Sequence, residues 1–122
     1  MHTMTPERLR ACIWQCWECR DTCQTLLFNH CLVKGGEHAE RGHVTLMSDC
    51  IQICQTAADF MTRNSPVHAA VCAACAEVCE ACARSCEAIN CAEMRHCAEV
   101  CHACARTCRE MGRQMAGTPE MA

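Results

Sequence analysis

Cysteine recurs along this chain in a helical rhythm. Cys12, Cys16, Cys19 and Cys23 are spaced four, three and four residues apart. Cys72, Cys75, Cys79, Cys82 and Cys86 step by three, four, three and four, and Cys97, Cys101, Cys104 and Cys108 repeat the first pattern. Residues three and four apart share one face of an α-helix. In a helical bundle that face ordinarily carries leucine. The interior of this fold is therefore expected to be lined with sulfur.

Composition agrees with that expectation. Seventeen of the 122 residues are cysteine, above the roughly 8–10% that marks a disulfide scaffold or a metal protein. With two Trp, two Phe and no Tyr, ordinary core formers are too few for a domain of this size. The formal charge of −3 and the scattered Lys and Arg give no nucleic-acid footprint. No stretch is long and apolar enough to span a membrane. No apolar segment precedes the charged residues Glu7, Arg8 and Arg10, from which a cytoplasmic location is expected. A reducing compartment favours thiols that hold metal over structural disulfides.

Four helices are expected, over about 6–31, 38–63, 66–88 and 92–112, with a loose tail over 113–122. Thr5 and Pro6 supply an N-cap and a first helical residue. Gly35-Gly36 breaks the first helix from the second. Asn64-Ser65-Pro66 ends the second and starts the third, with Ser65 as its N-cap. Ile89-Asn90-Cys91 makes the last turn. Short links favour antiparallel neighbours, so the fold class is all-α: one domain, an antiparallel up-down-up-down four-helix bundle with a cysteine-lined core. The last two helices also repeat each other, with Cys-Ala-Glu-Val-Cys-Glu-Ala-Cys-Ala-Arg-Ser-Cys matching Cys-Ala-Glu-Val-Cys-His-Ala-Cys-Ala-Arg-Thr-Cys.

Following the inward stripe of each helix stacks the side chains in layers. The middle layers are Cys23, Cys50, Cys79, Cys104 and then Cys19, Cys54, Cys75, Cys108. Toward one end lie Cys16, Ala57, Cys72, Met111 and then Cys12, Met61, His68, Met115. Toward the other lie Leu26, Met47, Cys82, Cys101 and then His30, His43, Cys86, Cys97. Cys31 and Cys91 fall at this second end, outside the layers.

Such a core has three uses for its thiols. As plain buried hydrophobes they would leave the interior thin and oxidisable. As disulfides they would be odd in number, and neighbours on one helix bridge only with strain. As metal ligands they suit zinc or copper(I). Four thiolates around one divalent ion leave a charge of about −2, costly to stack in a dry core. One Cu(I) per thiolate leaves the core close to neutral, and soft thiolate and thioether ligands select Cu(I). Residues at i,i+4 lie about 5–6 Å apart at Cβ, which makes pairs of Cys12 with Cys16, Cys19 with Cys23, Cys50 with Cys54, Cys75 with Cys79, Cys82 with Cys86, Cys97 with Cys101 and Cys104 with Cys108. Neighbouring helices would add third sulfurs. A zinc or general heavy-metal thiolate buffer is the alternative reading. Iron–sulfur ligands usually come from loops, which disfavours that cofactor.

The repeated Cys-x-x-x-Cys-x-x-Cys-x-x-x-Cys runs at 12–23 and 97–108, with the longer run at 72–86, resemble the bacterial copper storage proteins over about residues 5–113. In the absence of an export signal the chain is similar to their cytosolic branch. The resemblance implies a homotetramer of bundles, each folded before metal arrives and then filled with multiple Cu(I) ions held mainly by cysteine. The ligands would be all seventeen cysteines, with His30, His43, Met47, Met61, His68 and Met111 as further candidates. Helix two departs from the pattern, since it carries only Cys50 and Cys54 in line with Met47, Ala57 and Met61.

His30 and His43, beside Cys31 and Cys91, are expected to form a mouth where ions are handed to the core. Copper delivered by a copper chaperone would arrive there. His68, with Met61, Met111 and Met115, is a weaker candidate site at the opposite end. His38, His96 and His102 lie off the inward stripe and are expected to be solvated. Ile13, Trp14, Trp17 and Phe28 form a second apolar edge that suggests a subunit contact. No Ser-His-Asp arrangement, phosphate loop or paired carboxylates fall on the inward face, so no enzyme is expected.

Overall fold

Helix α1 runs Pro6–Leu26 and continues without a break through a π-helical turn, Leu27–Cys31, to Lys34. A 3₁₀ turn, Gly36–Ala39, leads to α2, Arg41–Thr62. Helices α3, His68–Glu87, and α4, Ala92–Ala116, complete the chain. This is a computed structural model; it describes residues 6–116, with side chains through residue 113. The expected cap at Thr5, the side chain of Met115 and the tail beyond residue 116 lie outside the described residues. Residues 113–116, expected to be loose, extend α4.

The helices form an antiparallel bundle in which α1 packs on α2 and α4, and α3 packs on α2 and α4. Sequence-local turn chemistry sets these returns. Asn64 takes a left-handed conformation at φ 55°. Its N–H donates to the Met61 carbonyl and that of Ser65 to the Phe60 carbonyl, which closes α2 with a Schellman motif. Ser65 then accepts from the Val67 N–H at its Oγ. Regular helix begins at His68 rather than at Pro66. Gly35 and Gly36, at φ 75° and 58°, turn the chain after α1, where a side chain would be strained. The second helix accordingly starts at Arg41 rather than residue 38. At the last turn the Cys91 carbonyl accepts from the Arg95 N–H, so Cys91 stands as the N-cap of α4.

The core is sulfur and alanine. Every inward cysteine is fully buried, with Leu27, Met47, Met61 and Met94 as the largest buried side chains. Small residues let α3 and α4 approach closely: a Cβ on Gly112 would lie 2.9 Å from the Ala73 Cβ. No helix among the described residues is long and apolar enough to cross a membrane.

Candidate metal centre

Every cysteine of the chain is a free thiol, and all but the half-buried Cys91 are buried. Apart from Cys31 and Cys91, their sulfurs form one connected network. On α2 and α3, Cys50 lies 3.7 Å from Cys79, and Cys54 lies 3.5 Å from Cys79 and 3.9 Å from Cys75. Cys50 with Cys79 and Cys54 with Cys75 are partners that the layered reading gives, while the closer contact of Cys54 with Cys79 crosses between layers. Between α3 and α4, Cys82 meets Cys101 at 3.8 Å, again as expected.

Helix α1 keeps its expected contact of Cys23 with Cys50, at 3.8 Å, but is displaced from its expected register against α4. Cys23 faces Cys101 at 3.5 Å and Cys97 at 3.7 Å rather than Cys104. Cys19 meets Cys50 at 3.6 Å and Cys101 at 3.8 Å. Cys16 lies 3.5 Å from Cys108 and 3.8 Å from Cys104, and Cys12 lies 3.8 Å from Cys108. The shift is about one layer. On one helix, Cys75 and Cys79 approach to 3.7 Å and Cys104 and Cys108 to 4.0 Å. The closest sulfurs, at 3.5 Å, come from different helices, so cross-helix contacts join these expected i,i+4 pairs into larger groups. Four tetrads gather their sulfurs within 4.8 Å: Cys16, Cys75, Cys104, Cys108; Cys19, Cys50, Cys54, Cys79; Cys19, Cys23, Cys50, Cys101; and Cys54, Cys75, Cys79, Cys104. Cys54, Cys75 and Cys104 each join two of them, as do Cys19, Cys50 and Cys79. Shared vertices of this kind suit a chain of ions bridged by thiolates, not isolated single sites.

Crowding also splits the acidity of the thiols, because a thiolate is stabilised by the S–H groups that point at it. Cys50 is pushed below the ordinary thiol value, foremost by Cys101 and then Cys19 and Cys23. Cys75 goes the same way through Cys104, Cys108 and Cys16. Cys54 is pushed up, led by Cys104 and Cys16, and Cys79 is pushed up, led by Cys104 and Cys19.

The two ends differ. At one, the π-helical turn changes which residues of α1 face inward. The Leu32 N–H reaches the Leu27 carbonyl, one residue further than in an α-helix. The inserted residue moves the inward positions from the expected Leu26 and His30 to Leu27 and Cys31. Cys31, expected outside the layers, is wholly buried; its thiol donates to Met47 Sδ and Met94 Sδ at 3.8 Å each. Burial, with Cys97, Cys91 and Cys82 nearby, pushes this thiol up to about 11. His43 Nε2 stands 3.6 Å from Cys31 Sγ, and Nδ1 is hydrogen-bonded to Ser85 Oγ at 2.8 Å. Met94 is not among the ligands expected from the sequence. It belongs with Cys31, His43 and Met47.

His30 does not join this inner group. It meets Cys91 at 3.7 Å from Nε2, together with His38. His38 is the correction to the sequence reading. Expected in solvent, it is only 6% exposed, and its Nε2 lies 3.6 Å from Cys91 Sγ. It sits in the 3₁₀ turn, where helical spacing does not tell which way a residue points; His96 is exposed, and His102 pairs with Glu87 at the surface. At the opposite end Cys72 adjoins Cys12 and Cys108. Met61 and Met111 are buried beyond them. The Nδ1 of His68 is buried without a hydrogen-bond partner among the described residues. Cys86 lies against Cys82 and Cys97.

An α-helical bundle whose dry interior is a continuous field of free thiols is a metal-sequestering protein. Comparison with known proteins narrows the class. The family model described as copper storage protein matches residues 5–113, and the chain belongs to that family. The crystal structure of the Nmul_A1745 protein of Nitrosospira multiformis superposes with a TM-score of 0.86 at 44% identity, over 89% of this chain and 98% of that one. Cu(I)-bound copper storage protein BsCsp3 gives 0.80 at 33% identity, over 86% and 98%. The metal-free Csp3 of Bacillus subtilis gives 0.76 at 32% identity, over 84% and 97%. A curated relative, the cysteine-rich protein YhjQ of Bacillus subtilis, is 36% identical over 67 residues, 55% of this chain and 61% of the relative.

Proposed function

We propose that this protein stores or sequesters multiple Cu(I) ions in its thiol core. The observation that carries this reading is the set of sulfur tetrads with shared members. Each ion that enters displaces a proton from a thiol and brings one positive charge, so filling keeps the interior near neutral. A stack of divalent tetrathiolate sites would leave about −2 per site in the same dry volume. The Cu(I)-bound state of BsCsp3 supports the choice of cargo.

The ligands are the buried cysteines, Cys91 apart, with the inner end completed by His43, Met47 and Met94. Burial holds His43 below its ordinary value, which leaves it neutral and able to bind metal. A groove lined by Glu37, Glu40, His43, Arg84 and Ser85 opens beside it, so an incoming ion, free or from a copper chaperone, would meet His43 first, whose Nε2 stands 3.6 Å from the buried Cys31 Sγ. Storage is passive and needs no catalytic step. The protein works as a homotetramer in the cytoplasm. Support comes from the fit of a thiol core to a reducing compartment, which keeps cysteines available for metal, and from Trp14 and Phe28, exposed on the outer side of the first helix and its π-helical turn.

An oxygen-free titration against a chromophoric Cu(I) chelator tests the reading. Uptake on the order of ten or more Cu(I) per chain is expected of soft thiolate ligation. Saturation at about two to four Zn(II), with weak copper uptake, would favour a zinc buffer instead.

A further inference from the structure

Three side chains at one end of the bundle form a donor set unlike the core. His30 comes from the π-helical turn of α1, His38 from the 3₁₀ turn after it, and Cys91 from the N-cap of α4. Cys91 Sγ stands 3.7 Å from His30 Nε2 and 3.6 Å from His38 Nε2. All three ligand atoms fall within 4.8 Å of one another, and the imidazole rings meet edge to face at 4.9 Å.

We propose that His30, His38 and Cys91 bind one divalent ion of the zinc type, in a site separate from the sulfur core. A tetrahedral ion about 2.05 Å from nitrogen and about 2.3 Å from sulfur holds the two donors about 3.6 Å apart. The two sulfur–nitrogen distances already match that span. Two imidazoles and one thiolate are a borderline set that suits zinc, whereas the all-sulfur interior suits a soft monovalent ion. Three protein ligands leave a fourth position, and His30 and Cys91 are half exposed, so water reaches it. One thiolate leaves a divalent ion with a net positive charge. Glu93, two residues on from Cys91 and close to both it and His30, is placed to balance that charge. Cys31 turns away to His43, Met47 and Met94, which keeps the outer trio apart from the inner group. An ion here ties the end of α1, the α1–α2 link and the start of α4 to one another.

The test starts with whole protein saturated with Cu(I) without oxygen, freed of excess copper and dialysed against Zn(II) alone. Elemental analysis should find one zinc per chain with the copper content unchanged. Zinc-edge X-ray absorption should show two imidazole nitrogens and one sulfur in the first shell. His38→Ala should weaken zinc binding at least ~10-fold at unchanged copper capacity and unchanged helical circular dichroism. His30→Gln serves the same purpose if His38→Ala disturbs the fold. Failure of the loaded protein to retain zinc, an all-sulfur zinc shell with copper expelled, or undiminished zinc binding by the folded variants would each overturn the proposal. Failure of the copper loading itself speaks to the storage reading instead. The absorption measurement with one equivalent of zinc on copper-free protein then decides the site by the same shells.

Discussion

Cys54 Sγ on α2 lies 3.5 Å from Cys79 Sγ on α3, and each belongs to a sulfur tetrad that the other joins. Cys54 also faces Cys75 and Cys104, both at 3.9 Å. Its loss therefore removes a vertex shared by two candidate sites. Cys54→Ser should lower the saturating Cu(I) content by roughly one ion per thiolate removed, since a hydroxyl is a hard donor that Cu(I) does not favour. The variant also buries a hydroxyl among sulfurs, at a cost of about 1–3 kcal/mol unless a partner accepts it. Cys54→Ala separates the two effects. It should lose the same copper without burying a polar group. Undiminished copper content in both variants would mean that the tetrads are not ligand sets.

A second expectation concerns the packing that brings the sulfurs together. An added Cβ at Gly112 would meet the Ala73 Cβ at 2.9 Å, its Cα at 3.1 Å and its backbone nitrogen at 3.3 Å. The obstacle is backbone and cannot rotate away. Gly112→Ala should cost about 1–3 kcal/mol, or roughly 4–8 °C of melting temperature per kcal/mol in a domain near this size. Nothing lies within 4 Å of a Cβ at Gly42, in the first turn of α2. There the same substitution should stabilise, by up to about 1 kcal/mol, through helix propensity. Thermal unfolding of the two copper-free variants reads the contrast. Equal shifts would mean that α3 and α4 do not approach as described.

The fold was legible because cysteine marks its own buried face. Cys72 through Cys86 and Cys97 through Cys108 leave little freedom about which side of α3 and α4 points inward, and Asn64-Ser65-Pro66 fixes a tight return. Hence the α2–α3 partners, Cys50 with Cys79 and Cys54 with Cys75, follow directly from counting. Counting failed where its assumption of about 100° per residue failed. The π-helical turn adds a residue after Cys23, which rotates Cys31 inward and His30 out toward Cys91. No local residue in Leu27-Phe28-Asn29-His30-Cys31 announces such a turn, because its hydrogen-bond pattern is settled by what the packed face requires. His38 was missed for a related reason. A residue in a 3₁₀ link has no helical stripe to lie off, and only the folded chain brings it to Cys91.

Loading the core should stabilise a bundle that is already helical. A ligand that binds only the folded state stabilises by RT ln(1 + [L]/Kd), about 2.7 kcal/mol for one site at a hundredfold excess over Kd. Ions bound at shared thiolates act together, so the copper-loaded protein should melt well above the copper-free one. Far-UV circular dichroism should change little, the outcome expected of a bundle that folds before metal enters. A chelator that strips the copper should return the melting temperature to its starting value. Loss of helix on stripping would show that metal drives folding here.

Acid should weaken the copper-free bundle through two end histidines, the buried His43 and the half-buried His68. His43 is held below the ordinary histidine value of 6.5 by burial, against an opposing pull from Cys97 and with a small further push down from His38. His68 is lowered from the same value by burial, partly offset by Cys12. Below 6.5 the unfolded chain takes up protons at both positions while the folded chain still resists them. The unfolded state then binds more protons, so stability falls as pH drops from about 6.5 toward the depressed folded values, and these two groups add no slope above it. Carboxylates contribute their own acid dependence, which makes the difference from wild type the proper readout. Urea unfolding of His43→Gln and His68→Gln, followed between about pH 7.5 and pH 5, should show a flatter fall than wild type. The same slope in all three proteins would mean that neither imidazole is shielded in the folded state, and with it would go the neutral, metal-ready form of His43.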